Sequence, residues 1–222
     1  MTISLSAVIS DRTMLDVNTN AGAHGGPLLV SPRDWSLFID IDGTLLGVAS
    51  TPDAVSVPPD LVRVLSAVAK GLEGAVALIT GRRIADADRL FAPLKLVSAG
   101  VHGTELRSEH GGAIANLAPP VAFALVKAVN KVTAVASGIM VEQKGAGLAV
   151  HYRQAPLARA VLVAELKRIL ADTSSDLVLR PGRMVLELVP RGFSKGTALS
   201  SLAGLAPFKG RRPIMIGDDA GD

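Results

Sequence analysis

The sequence predicts an α/β protein: a doubly wound parallel-sheet core with a smaller α+β cap inserted into it. Three observations carry this expectation. Between residues 35 and 100, short and nearly all-apolar runs alternate with amphipathic helical segments, as a parallel sheet covered on both faces requires. From about residue 139 to 189 the strands instead alternate polar with apolar residues around turn signals, the pattern of an antiparallel sheet with one covered face. After residue 194 the first style returns, so the chain leaves the core and comes back to it.

Composition bounds the function classes. Hydrophobic residues make up 49% of the 222, and aromatics only 3%, so the core is aliphatic. The 23 basic and 20 acidic residues leave a net charge of +3 with no basic block, which argues against a nucleic-acid partner. With no cysteine there is neither a disulfide nor a thiolate zinc site, which suits the cytoplasm. No apolar run approaches the roughly 18 residues of a membrane span, and the first residues lack the charged and apolar regions of a signal peptide. The oligomeric state leaves no signal.

Taken in order, residues 1–33 carry no helical or strand period and read as a flexible leader. Residues 34–106 form the first part of the core. SLFIDI (36–41) is a strand and Gly43 opens a loop. PPDLVRVLSAVAKG (58–71) is a helix with Leu61, Leu65 and Val68 on one stripe, Pro58 and Pro59 at its start and Gly71 at its stop. AVALIT (75–80) is a second strand, RIADADRLFA (83–92) a helix in which Asp86 and Asp88 read as solvated, and KLVSAG (95–100) a third strand. Residues 107–189 form the cap: a helix over 121–137, two strands in 139–153, a helix over 156–172, and a hairpin in 176–190 expected to turn at Pro181 and Gly182. Residues 190–222 return to the core with a helix over 194–205 and a last apolar strand, PIMIGDD (213–219).

The stretch LFIDIDGTL (37–45) places Asp40 and Asp42 at the end of a buried strand. Ionised carboxylates taken out of water cost several kcal/mol each unless a cation or good hydrogen bonds compensate. In an open parallel sheet, ligands bind beyond the C-terminal ends of the strands. Asp40 and Asp42, Thr80, and Asp218 with Asp219 all follow such strand ends, and Lys195 heads the helix before the last one. A group of carboxylates there makes a hard-oxygen site suited to Mg²⁺. A Thr hydroxyl and a Lys ammonium suit phosphate oxygens. Thr80 could also cap the following helix. A cation at a helix start is electrostatically misplaced, so Lys195 points to an anionic partner.

In order, Asp40-Ile41-Asp42-Gly43-Thr44, Thr80, Lys195 and Gly217-Asp218-Asp219 resemble the four motifs of the haloacid dehalogenase (HAD) phosphohydrolases. ITGR (79–82), AGVHGTELR (99–107), VEQKGAGLAVHYR (141–153) and LELVPRGFSKG (186–196) are similar to segments of the trehalose-6-phosphate phosphatase family. The resemblance implies a HAD-like core and a Mg²⁺-dependent hydrolysis of trehalose 6-phosphate through an aspartyl phosphate. Asp40 would be the nucleophile, Asp42 the general acid and base, and Thr80 and Lys195 the phosphate holders. The implied metal ligands are Asp40, the Asp42 carbonyl, Asp218 and Asp219. The implied substrate contacts are Asp40, Ile41, Asp42, Gly43, Gly81, Arg82, His102, Glu142, Lys144, His151, Arg153, Arg180 and Glu187. Taken alone, Glu142 with Lys144 and His151 with Arg153 read as a solvated sheet face with cross-strand ion pairs. The alternatives are a phosphatase for another sugar phosphate, or an inactive protein that only binds a ligand or partner. The fourth family motif continues Asp-Asp-x-Thr-Asp-Glu, whereas here Gly221 stands at the Thr position and the sequence stops at Asp222. The expectation is therefore a core lacking its C-terminal end, with the last strand left as an apolar edge beside the Asp40 strand.

Overall fold

Residues 31–47, 49, 54–134 and 136–218 are described by the computed structural model. The expected leader up to residue 30, and the candidate ligand Asp219, lie outside these residues. The end of that leader is ordered: Pro32–Asp34 forms a 3-10 turn leading into the first strand.

In chain order the elements are β1 (Trp35–Ile39), α1 (Leu61–Gly71), β2 (Val76–Ile79), α2 (Ile84–Leu90), β3 (Val97–Gly100), β4 (Glu105–Arg107), β5 (Ala115–Asn116) and α3 (Phe123–Thr133). There follow β6 (Met140–Lys144), β7 (Gly147–His151), α4 (Arg159–Asp172), β8 (Leu177–Gly182), β9 (Val185–Pro190), α5 (Lys195–Ala203) and β10 (Arg212–Ile216). The first sheet runs β10-β1-β2-β3-β4-β5, with β10, β1, β2 and β3 parallel and β4 and β5 antiparallel.

The all-apolar strands are explained by their two covers. In β2, Val76 and Leu78 face a cluster with Leu65, Phe91 and Ile39, while Ala77 and Ile79 face one with Phe38, Leu202 and Phe208. Phe38 and Phe208 meet with ring centroids 5.2 Å apart. In register, Ile39 lies beside both Ile216 and Leu78, which brings the ends of β1, β2 and β10 to one edge. β10 is the outer strand, with Ile214 and Ile216 exposed.

Two differences from the sequence expectation concern β4 and β5. The residues 107–116 assigned to the cap continue the first sheet, because β5 pairs with β4 and β4 with β3. An apolar-run criterion misses β4, whose buried face carries charge: Glu105 and Arg107 are both buried. Arg107 Nη1 donates to Asp88 Oδ1 at 2.7 Å, its Nη2 donates to Asp88 Oδ2, and its Nε donates to the Gly112 carbonyl at 3.1 Å. Asp88 is thus not a solvated helix residue but the fixed partner of a buried guanidinium.

The second sheet runs β6-β7-β9-β8, all antiparallel, and one face is covered by α3 and α4. Leu148, Val150 and Tyr152 pack there with Leu186 and Leu188, as the alternation predicts. The β8–β9 hairpin turns at Arg183 and Met184 rather than at Pro181 and Gly182, since Gly182 pairs with Val185 and Pro181 with Leu186. Pro181 is tolerated because β8 is an edge strand, where a missing N–H leaves no ladder bond unmade. Met184 takes the left-handed turn conformation at φ 64°. Among the described residues no helix is long and apolar enough to cross a membrane.

Arg107→Ala should lower the free energy of unfolding by about 3–5 kcal/mol, because it leaves Asp88 partly buried and unpaired. Urea denaturation measures this, and a loss near zero would show that the pair does not hold β4 to α2.

Candidate active site

The site is built where the parallel strands end. The Asp40 N–H donates to the Ile216 carbonyl at 2.9 Å, extending the β1–β10 ladder by one residue and burying the Asp40 side chain. Lys195 Nζ lies 3.0 Å from Asp40 Oδ2. Lys195 is placed by the start of α5, where Ser194 and Thr197 form a reciprocal capping box. The anion that a lysine at a helix start called for is, in this conformation, the Asp40 carboxylate.

After Asp40 the chain folds back on itself, with the Leu45 and Leu46 N–H groups both donating to the Ile41 carbonyl. Ile41 itself is buried in the core, so only its backbone is available to a ligand. Gly43 has φ 88°, and a Cβ there would lie 2.0 Å from Asp218 Oδ2. The Asp218 carboxylate therefore occupies the space of the side chain that Gly43 lacks, within three residues of Asp40.

Thr80 follows β2 and is fully buried, and its Oγ1 accepts the Arg82 N–H at 3.1 Å. It closes a local turn and does not cap α2, whose N-cap residue Arg83 makes no side-chain cap bond. Arg82 reaches both oxygens of Asp42, at 2.8 Å from Nε and 2.7 Å from Nη2. Burial works against the guanidinium charge, but the Asp42 fork outweighs it and raises the Arg82 pKa further. Asp42 thus has both oxygens engaged by Arg82.

The polar face of the second sheet meets this loop. Glu142 and Glu187 both pair in register with the small residue Ala149, which lets their side chains share one face. Lys144 Nζ lies 3.4 Å from Glu187 Oε1 and 3.7 Å from Glu142 Oε2, and donates to the Gly81 carbonyl at 3.0 Å. His151 Nε2 is 2.9 Å from Glu142 Oε2, and His102 Nε2 is 2.8 Å from Glu187 Oε2. Burial pushes the Glu142 carboxyl up, but the His151 contact and Lys144 bring it below its ordinary value. Burial likewise opposes ionisation of Glu187, yet His102 and Lys144 hold it down at about 2. The His102 N–H donates to the Thr80 carbonyl at 3.1 Å, so this residue ties the Thr80 loop to the second sheet.

Two candidates stand apart from this group. Arg153 lies beyond the end of β7, where its Nη2 donates to the Arg183 carbonyl at 3.3 Å. Arg180 lies opposite Glu187 in register but forms no ion pair among the described residues. Glu105 is a neighbour of the site that sequence reasoning missed. Its carboxylate accepts the Ile84 N–H at 2.7 Å and meets Arg83 Nε at 3.3 Å. The available signal was the alternation of Glu105 with Arg107 about a single apolar residue, which puts both charges on one strand face.

Among the described residues no three acidic or histidine side chains group closely enough to hold a metal ion by themselves. Mg²⁺ needs fewer: it commonly takes one or two carboxylates, and water and substrate phosphate complete its shell. The carboxylates of Asp40 and Asp218, at the ends of two paired strands and around the Gly43 cradle, fit that requirement.

Gly43→Ala should displace Asp218 and weaken Mg²⁺ binding by about 10- to 100-fold, measured by calorimetry. Unchanged affinity would remove the Gly43 cradle from the metal site. For Glu187, the folded pKa of about 2 lies below its ordinary 4.5. Its contribution to stability is therefore complete above about pH 4.5 and lost as pH falls toward 2. Denaturation midpoints followed down through this window should fall less steeply in Glu187→Gln than in the wild type, and parallel curves would contradict the pairing.

Comparison with known proteins agrees with this geometry. The sequence model of the trehalose-phosphatase family matches residues 38–222. A probable trehalose-phosphate phosphatase of Sinorhizobium fredii is 43% identical over 190 residues, covering 85% of this chain and 71% of that protein. The trehalose-6-phosphate phosphatase of Escherichia coli is 37% identical over 200 residues, covering 88% and 75%. Among solved structures, the C-terminal domain of Candida albicans trehalose-6-phosphate phosphatase superposes with a TM-score of 0.72 at 20% identity, covering 85% of this chain and 71% of that one. That likeness shows that this chain shares that domain's fold. The chain belongs to the trehalose-phosphatase family.

Proposed function

We propose that this protein hydrolyses trehalose 6-phosphate to trehalose and phosphate, with Mg²⁺ as cofactor and an aspartyl phosphate on Asp40 as intermediate. One observation carries the reading. Asp40 is buried at a strand end against Lys195, with the Thr80 loop beside it in contact with a charged sheet face. The relatives, trehalose-phosphate phosphatases, supply the substrate.

In the first step an Asp40 oxygen attacks phosphorus in line, the bond to the sugar oxygen breaks, and Asp42 gives that oxygen a proton. Both Asp42 oxygens lie in the Arg82 fork, so the carboxyl must turn out of it to reach the sugar. In the second step Asp42 takes a proton from water, the water oxygen attacks phosphorus, and the bond to Asp40 breaks to release phosphate. Lys195 and Thr80 hold phosphate oxygens in both steps, where fixed donors are worth most. Mg²⁺, held by Asp40, Asp218 and the Asp42 carbonyl, would neutralise charge that otherwise keeps the phosphate from its nucleophile. Glu142, Lys144, His151, Glu187 and His102 already contact one another, and sugar hydroxyls would compete for those contacts. A disaccharide has enough hydroxyls to do so, and a small aryl phosphate does not.

Phosphate release from trehalose 6-phosphate, with and without Mg²⁺, tests the reading. The wild type should turn over only with the metal, and Asp40→Asn should lose at least about a thousandfold in kcat. A variant that keeps a tenth of the activity would rule out covalent catalysis at Asp40. Equal rates on glucose 6-phosphate and trehalose 6-phosphate would favour the broader sugar-phosphate reading.

A further inference from the structure

We propose that Glu105 is a positioning residue for the reaction: through the first turn of α2 it fixes the Thr80–Arg82 loop that holds phosphate and engages Asp42. Its kinetic consequence rests on the phosphatase reading above, but the geometry does not. Glu105 is 5% exposed. A carboxylate so buried persists only with good partners. Its Oε2 accepts the Ile84 N–H at 2.7 Å, while the Arg83 partner at 3.3 Å is half exposed. The Ile84 N–H is one of the first-turn donors that a helix cannot satisfy from within. Arg83, at the N-cap, offers it nothing. Glu105 thus does from a neighbouring strand what Ser, Thr or Asp usually does at the helix start.

The consequence for the loop follows from its other supports. The loop is held at its entry by the Thr80 N–H donating to the Ala99 carbonyl at 2.9 Å. It is held in its middle by the Val101 N–H on the Arg82 carbonyl, at 2.8 Å. Val101 adopts φ 46°, which is strained for a β-branched residue and is sustained only by fixed surroundings. At the exit, a Cβ on Gly100 would lie 2.8 Å from the Arg82 carbonyl and 2.9 Å from Ile84 N, so strand and loop are in close contact. Among the described residues, Glu105 is the side chain that pins that exit. Without it, the Arg83–Ile84 peptide loses its anchor, and two contacts just before it loosen together: the Arg82 N–H on Thr80 Oγ1 and the Arg82 fork on Asp42.

The fold contains its own control. Two residues further along the same face of β4, Arg107 grips the far half of α2 through Asp88. That pair anchors the same helix about one turn further on and, among the described residues, makes no hydrogen bond to the loop.

The test compares Glu105→Ala, Glu105→Gln and Asp88→Asn. Read out are melting temperature, kcat for trehalose 6-phosphate, and hydrogen exchange of the Arg82 and Ile84 amides. Glu105→Ala should lose about 10- to 100-fold in kcat, the scale of a small misplacement of catalytic groups. Its two amides should exchange at least about tenfold faster. Glu105→Gln, which keeps an acceptor for the Ile84 N–H, should recover most of both. Asp88→Asn should lower the melting temperature and leave kcat and those two amides unchanged. The inference is overturned if Glu105→Ala behaves like Asp88→Asn, less stable but with kcat and exchange intact. Should Glu105→Ala not fold, Glu105→Asp, one methylene short of the Ile84 N–H, is judged by the same readouts. If the wild type itself releases no phosphate from trehalose 6-phosphate, the functional reading fails, while amide exchange still decides the role of Glu105.

Discussion

The constraint on which the site depends is the burial of one carboxylate, Asp40, at the end of a parallel strand. Burial of a lone ionised group would unfold a domain whose total stability is on the order of 5–15 kcal/mol. The fold answers with Lys195, delivered 3.0 Å away by the capped start of α5. The helix start that would otherwise repel a lysine also fixes its backbone, so the ammonium is aimed without added freedom.

The second theme is that charges here are shared and not isolated. Asp42 is held by Arg82, Glu142 by His151 and Lys144, and Glu187 by Lys144 and His102. Lys144 also reaches the Gly81 carbonyl, so the second sheet and the Thr80 loop share one polar junction. Such sharing limits the cost of burying charge, since an unsatisfied buried group costs about 1–3 kcal/mol.

Legibility in the sequence varied with how local the signal was. The parallel order around β1, the placement of Asp40, Thr80, Lys195 and Asp218 at one edge, and the alternation in β7 and β9 all follow from short patterns. β4 and β5 did not, because they are three and two residues long, and the alternation in β4 puts its charged residues on the buried side. The β8–β9 turn was displaced for a related reason. Pro181 and Gly182 are strong turn residues, but an edge strand has room for a proline, and pairing with β9 decided the register.

By itself the sequence determined the chemistry that could occur: hard oxygen donors, a lysine and a hydroxyl after buried strands, and a polar sheet inserted between core segments. Side-chain type and the periods of strand and helix are local properties, and they survive in one dimension. Only the tertiary structure decided the pairing. Arg82 reaching Asp42 across 40 positions, Lys144 donating to Gly81 across 63, and Glu105 satisfying Ile84 from another strand are facts of packing. Each charge had several partners of suitable type in the sequence. The choice among them was made by the sheet order and by the small residues Gly43, Gly100 and Ala149, which let carboxylates and backbones approach where a larger side chain would have stood.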